Sequence, residues 1–461
     1  MSVTAARYDA VVIGAGPAGE VVAGRLAEHG RSVALVEREL VGGECAFYAC
    51  MPSKALLRPA ELLAEVRRVP GAAEAASGSL DVEAVLRRRD EVVHDLHDES
   101  NLDWLEQRGI TLVREHGRLN GERSVLAGEH WLTARDAIVI ATGSAAAIPD
   151  VPGLADARPW TNREATTSKR VPPRLLILGG GVVGVEMADA YASLGAAVTL
   201  VEPLERLISR EEEFASEQLA DALRAAGVDV RTGVKATSVE RNGAVSAELD
   251  DGSSVEADEI LVAAGRRPLT DDLGLESVGL RGGEEIEVDE QMRAGGLPWL
   301  YAIGDVNGRA LLTHVAKYQA RVAADVILGD DDARVRHDDS TAPRAIFTDP
   351  QVAAVGLTLA AARERGIDAR AYDVETSATP GASFHGRNTA GTCRLVLDAA
   401  RGVIVGATFT GSDVVDWLHA ATIAVVGELP VQQLRHAMPV FPARSEIWLR
   451  LFERLEADGV A

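Results

Sequence analysis

Cysteine is scarce in this sequence. The 461 residues hold three, at Cys45, Cys50 and Cys393. So few in so long a chain fit a reducing cytosol, where a disulfide serves chemistry more often than structure. A zinc-type site wants four ligands at close spacings, and two neighbouring cysteines do not supply them, so no metal is expected. Long apolar runs are missing as well. No stretch of 18 or more apolar residues exists, which excludes a membrane-spanning helix. The first residues show no basic segment leading into an apolar run and cleavage site, so a cytoplasmic protein is expected. Basic residues are outnumbered, 47 against 70 acidic ones, giving a net charge of −23. That balance argues against nucleic acid or an anionic membrane as partner. Lysine is rarest among the cations, with Lys54, Lys169, Lys235 and Lys317 alone among arginines. What is present is ample apolar content, 47%, and a length that suggests two to four domains.

The stretch from Gly42 to Lys54 reads GGECAFYACMPSK and holds two of the three cysteines. In a regular helix, Cα atoms five residues apart lie roughly 8–9 Å from one another. A disulfide needs about 4.4–6.8 Å. If Cys45 and Cys50 bond, the backbone between them is not regular helix. Pro52 fits a first helical turn, so helix is expected from about Pro52 through Leu57, with Cys50 at its N-terminus. The helix dipole favours a thiolate there. On spacing alone, two buried structural thiols and a redox pair both remain open.

Residues 8–13 form a short apolar strand, followed by the glycine turn Gly14, Gly16, Gly19, a helical pattern, a second strand from Ser32 to Val36, and the acid Glu37. Glu37 stands 23 residues beyond Gly14. Strand, glycine turn, helix, strand and acid together form a dinucleotide fingerprint. The same order recurs at Gly179, Gly181 and Gly184, with Glu202 again 23 residues beyond the first glycine. Two fingerprints imply two dinucleotides. A carboxylate at Glu202 accepts from a free ribose 2′-hydroxyl and repels a 2′-phosphate, which favours NAD over NADP; Arg206, four residues on, is the counterweight. Residues 55–110 read as two long helices, the second from Val82 to Leu105. Residues 112–139 read as a meander, and 149–173, with five prolines, as a crossover between domains. After residue 342 come strands near 352–356, 391–398 and 403–409, then helices from Asp413 and Val431. Cys393 falls in a strand and reads as a buried structural thiol.

The pattern G-G-x-C-x4-C-x-P-S-K resembles the active-site motif of the FAD-dependent pyridine nucleotide-disulfide oxidoreductases, among them dihydrolipoyl dehydrogenase, glutathione reductase, mycothione reductase and mercuric reductase. The likeness extends over essentially the whole chain and is nearest to dihydrolipoyl dehydrogenase. It implies an α/β fold with two doubly wound Rossmann-type domains and a C-terminal α+β dimerisation domain. Residues 1–150 and 270–340 would bind FAD, 151–269 NAD, and 341–461 would pair two copies. FAD would be held by Gly14, Gly16, Gly19, Glu37, Lys54, Gly117, Thr142, Gly143, Asp305 and Thr313. NAD(H) would be held by Gly179, Gly181, Gly184, Glu202 and Gly265. Cys45 and Cys50 would form the redox disulfide, with Cys50 against the flavin and Cys45 facing substrate. Lys54 would pair with Glu186 near the flavin. His314 would be a positional or core residue.

One departure stands out. Disulfide-reducing relatives end in a motif of the type H-x-H-P-T-x-S-E, whose second histidine is the acid/base and whose glutamate orients it across the dimer. Here the segment reads Pro439-Val-Phe441-Pro-Ala-Arg-Ser-Glu446. Glu446 is present, and Phe441 holds the histidine's place. The nearest histidine, His436, is ten residues before Glu446 instead of five. A phenyl ring carries no proton. The resemblance therefore implies an NADH-dependent homodimer that reduces a small disulfide, or alternatively a diaphorase whose electrons leave to a quinone, dye or metal.

Overall fold

The computed structural model describes residues 6–339, 341–386 and 391–460. Two compact units divide the chain: Met1–Pro52 with Asp90–Ala147 and Arg266–Ser340, and Ser53–Arg89 with Ile148–Gly265 and Thr341–Ala461.

The first unit is organised by a seven-stranded sheet. Its order is Thr111–Val113, Val33–Val36, Ala6–Ile13, His130–Ile140, Ser124–Ala127 and Gly117–Leu119, with Leu300–Ala302 also paired to His130–Ile140. The strands around Ala6–Ile13 run parallel, in a register that sets Ile13 opposite both Val36 and Ile140. Such strands are covered on both faces, which is why they read as continuous apolar runs. The last two strands close an antiparallel meander. Helix Pro17–Glu28 follows the first strand. It packs on helix Thr313–Leu328 through Val22, Leu26, Ala320 and Ala323, and Arg25 pairs with Asp325 at 2.5 Å.

The second unit holds a parallel sheet of Asp229–Thr232, Ala197–Glu202, Arg174–Leu178 and Glu259–Val262, and an antiparallel trio, Ala236–Asn242, Ala244–Leu249 and Ser254–Ala257. It also holds a five-stranded antiparallel sheet ordered Arg344–Ile346, Gln351–Gly356, Val403–Gly411, Thr392–Asp398, Ala369–Glu375. Helices Val414–Val426 and Ile447–Ala457 bury Leu418, Ala421, Leu451 and Phe452 against that last sheet, where Cys393 is fully buried. Burial pushes the Cys393 thiol up to about 12, so it is protonated and inert. Leu56, Leu57, Val85 and Leu86 join the core around Val185 and Tyr191.

Three local expectations are revised. The helix after the cysteine stretch begins at Cys50, two residues before Pro52, and runs to Arg68 with Pro59 inside it. The long helix expected from Val82 to Leu105 is two, Val82–Val92 and Glu99–Gln107. Between them His94, Asp95 and Leu96 take positive φ. The buried Asp98 then accepts from Val41 N at 2.7 Å and Arg114 Nη2 at 2.8 Å, long-range bonds that no helical periodicity announces. At the C-terminus, Val431–Leu434 is a single turn, and the longer helix is Ile447–Ala457, whose Ile447, Trp448, Leu451, Phe452 and Leu455 share one buried face.

Glycine is required where the second fingerprint turns. Gly179 has φ +115, and a Cβ at Gly184 would lie 1.8 Å from the Gly179 carbonyl oxygen. Gly184→Ala therefore forces the helix away from the strand. It should cost about 1–3 kcal/mol of stability, read from denaturant unfolding. An unchanged midpoint would show that this close approach is not needed.

Candidate active site

The two fingerprints share one geometry. In each, the first glycine has positive φ and the third sits against the first glycine's carbonyl, 1.9 Å from a Cβ placed at Gly19. At the middle glycines, Gly16 and Gly181, a Cβ would meet nothing within 4 Å. The turn is thus closed behind and open above the helix N-terminus, where N–H groups and the helix dipole suit a pyrophosphate. Glu37 takes Ala15 N at 2.8 Å and Glu39 N at 2.7 Å on its two carboxylate oxygens. Glu202 repeats this with Gly180 N at 2.5 Å and Leu204 N at 2.8 Å. Each acid is pinned at the end of its strand, beside the turn. Arg206 is tied to its own loop, donating to Glu211 O at 2.9 Å and Ser209 O at 2.8 Å.

The cysteine stretch is folded against the first fingerprint. Gly43, with φ +60, would place a Cβ 2.7 Å from Gly16 Cα, and Gly42 N donates to Ala15 O at 2.8 Å. Cys45 lies in the short helix Gly43–Phe47 and Cys50 opens the helix Cys50–Arg68; Tyr48 and Ala49 break the two apart. Cys45 and Cys50 are both half-buried thiols, neither of them in a disulfide. Cys50 Sγ is 3.4 Å from Thr313 Oγ1, at the start of helix Thr313–Leu328. The hydrogen bond to Cys50 and burial hold the Cys45 thiol well above the usual range, with Thr313 and Lys317 acting in the opposite sense. His314, next to Thr313, is exposed, which removes the core alternative and leaves the positional one.

One turn along the helix from Cys50, Lys54 Nζ lies 2.8 and 3.0 Å from the two oxygens of Glu186. Glu186 is only 4% exposed and also accepts Phe347 N at 3.0 Å. The Lys54 ammonium sits 4.8 Å from the Phe347 ring centroid. With Ser53 Oγ at 3.2 Å as well, these contacts fix a half-buried cation. Phe347 was not singled out by the sequence, since nothing local ties it to residue 54 or 186.

Asp305 anchors a second polar cluster. Ser144 Oγ donates to Asp305 Oδ2 at 2.6 Å, and Arg266 Nε donates to Ser144 Oγ at 2.7 Å. Arg266 also lies 3.8 Å from Asp305 and 3.9 Å from Glu44, the neighbour of Cys45. Burial raises the Asp305 pKa, against the Ser144 hydrogen bond and the Arg266 charge. Ser144, Arg266 and Glu44 escaped the sequence reading. Thr142 Oγ1 donates to Leu269 O at 2.9 Å. Gly143 and Gly265 take φ of +71 and +140 beside open space. Gly117 is packed: a Cβ there would come 2.9 Å from Val36 Cγ1, which accounts for a glycine without any ligand.

At the C-terminus, Phe441 is 69% exposed, alongside Met438 at 88% and Val440 at 75%. Glu446 is buried, and its Oε2 has no hydrogen-bond partner among the described residues. His436 is exposed.

This arrangement can be set beside known proteins. Residues 8–320 match the model of the pyridine nucleotide-disulphide oxidoreductases, and residues 342–451 match the dimerisation domain of the same enzymes. The chain belongs to the pyridine nucleotide-disulphide oxidoreductase family. It is 32% identical to a mercuric reductase of Staphylococcus aureus over 447 residues, covering 95% of this chain and 81% of that one. It is also 32% identical to a dihydrolipoyl dehydrogenase of Chlamydia muridarum, over 96% of this chain and 95% of that one. Among solved structures, the HOCl-induced flavoprotein disulfide reductase RclA of Escherichia coli superposes with a TM-score of 0.85 at 26% identity, covering 97% of this chain and 99% of that chain. The protein is accordingly an NAD(P)H-dependent flavoprotein oxidoreductase that binds FAD and carries a dimerisation domain. Among its described residues no helix is long and apolar enough to cross a membrane.

Proposed function

We propose that this homodimeric enzyme moves electrons from NADH through FAD and the Cys45–Cys50 pair, and that its exit step is the slow one for disulfides. The first unit's fingerprint, with Glu37 and Asp305, would hold FAD; the fingerprint ending in Glu202 would hold NADH; residues 341–461 would pair the copies. Bound flavin supplies the chemistry of accepting a hydride and passing two electrons to a disulfide. The chain's own part is to set the sulfurs. The hydrogen bond to Cys50 and burial favour the proton on Cys45, while the helix N-terminus that Cys50 opens favours a thiolate there. Cys45 must then lose that proton to attack a substrate disulfide. Its attack forms a mixed disulfide and expels one thiolate. Cys50 attacks Cys45 in turn, closing the ring and releasing the second. Lys54, held by Glu186, would offset negative charge gained on reduction.

The observation that carries this reading is the pairing of an intact dithiol with an absent base. Glu446 keeps a buried, unpartnered oxygen where relatives orient a histidine, and Phe441 offers no proton acceptor. A quinone or dye that draws electrons from flavin needs no such base, which supports the diaphorase reading beside the disulfide one. Parallel assays of NADH oxidation with lipoamide, low-molecular-weight disulfides and quinones test it. Fast turnover of lipoamide with none of quinones would overturn it.

Two further outcomes follow from the same residues. NADH should be preferred to NADPH by tenfold or more in kcat/KM, about 1.4 kcal/mol, because Glu202 is fixed at its strand end while Arg206 is engaged by carbonyls. An NADPH preference of that size would mean other cations outweigh Glu202. Disulfide turnover should also climb with pH. Cys45 is raised above the usual thiol range, so below that range its thiolate fraction grows about tenfold per pH unit. A log(kcat/KM) profile for lipoamide that is flat from pH 6 to 9 would show that deprotonation of Cys45 does not limit the exit.

A further inference from the structure

Three side chains from distant parts of the sequence converge in the second unit. Glu65 is in the last turns of the helix Cys50–Arg68, His385 ends the 3-10 turn Pro380–His385, and Asp413 precedes the helix Val414–Val426. One ligand atom from each falls within 4.8 Å of the others. His385 Nδ1 is 3.6 Å from Glu65 Oε1 and 3.8 Å from Asp413 Oδ2.

These separations are too long for hydrogen bonds, which close at about 2.7–3.2 Å. They are close to what a shared ion imposes. Two donors about 2.0–2.2 Å from one ion at a tetrahedral angle stand roughly 3.3–3.6 Å apart. Arg58 and Arg444 supply charge near Glu65 and Asp413, but only one hydrogen bond to the cluster among the described residues. Arg58 donates to Glu61 at 2.7 Å. Arg68 pairs with Asp349 and donates to Ser412 Oγ at 3.1 Å. Arg444 alone reaches in, with Nη1 3.3 Å from Asp413 Oδ2, and its guanidinium stacks on Trp417. Among the described residues the side chains of Glu65 and His385 make no hydrogen bond, so both point into the gap with their capacity unused.

We propose that Glu65, His385 and Asp413 form a binding site for a divalent zinc-type ion, with water completing the shell. One imidazole nitrogen and two carboxylate oxygens suit such an ion better than magnesium, which prefers an all-oxygen shell. The side chains are 30–33% exposed, so the ion can enter from solvent. Glu65 lies fifteen residues after Cys50 in the sequence of the same helix. The ion's role is to clamp that helix to the C-terminal sheet domain within the second unit.

The test uses FAD-loaded dimer stripped with chelator and titrated with Zn²⁺ against a chromophoric chelator. The same titration on the Cys45→Ser/Cys50→Ser double variant removes metal capture by the dithiol. One equivalent per chain should bind in both. His385→Ala and Asp413→Asn should each weaken binding by about tenfold or more. Both variants should remain yellow and dimeric, and the rise in Tm that Zn²⁺ gives the wild type should vanish in His385→Ala. Should His385→Ala fail to fold, Asp413→Asn and Glu65→Gln are read in its place. Absence of binding in the double variant, or binding unchanged by these substitutions, overturns the site.

Discussion

Phe441→His should raise kcat/KM for lipoamide by roughly 10²–10⁴, the range a positioned acid/base contributes. The argument rests on what surrounds the position. Glu446 is buried with Oε2 lacking a partner, which is the costly condition for a buried acceptor. A histidine five residues before it restores the spacing of the disulfide-reducing relatives and gives that oxygen an N–H to accept. Phe441 is 69% exposed, so its replacement opens no cavity in the core. The new imidazole would take the Cys45 proton across the dimer, and the pH profile should flatten along with the rise. Quinone reduction should hardly change, because it does not use the thiol. Adding Glu446→Gln should remove most of the gain; a rise that survives it would mean that Glu446 does not orient the introduced base.

Cys50→Ser should abolish disulfide turnover, since the substituted chain cannot close the ring that expels product. Reduced wild type should show a long-wavelength absorbance from the Cys50 thiolate beside bound flavin, and Cys50→Ser should lack it. Cys45→Ser should keep the band without added reductant, because the proton that Cys45 holds in the pair is gone and Cys50 remains at the helix N-terminus. Identical spectra for the two variants would mean that the sulfur roles are reversed or shared. Quinone reduction that survives Cys50→Ser would separate the flavin exit from the thiol exit.

Much of the dinucleotide chemistry was legible because its geometry demands particular residues. Gly14, Gly19, Gly179 and Gly184 stand where a side chain would strike backbone, and their spacing shows in the sequence. The acids at 37 and 202 were legible for the same reason, although their bonds to the turn's own N–H groups were not. What stayed hidden depends on long-range contacts. Asp98 interrupts a helical pattern to meet Val41, and Phe347 is brought to Lys54 and Glu186 from far along the chain. Arg206, the counterweight to Glu202, donates to two loop carbonyls that its spacing does not announce. Phe441 shows the opposite case: the missing histidine was plain in the sequence, while the unpartnered oxygen of Glu446 needed the fold. Glu65 stands more than three hundred residues before His385 and Asp413, and no spacing rule joins them.

The most direct test is kcat/KM for lipoamide and for a water-soluble quinone, measured with NADH on the same wild-type preparation and on His436→Ala. A quinone value well above the lipoamide value, with His436→Ala leaving the quinone rate unchanged, is the expected result. Brisk lipoamide turnover that His436→Ala fully retains would contradict it, since the exit through Cys45 would then need neither histidine.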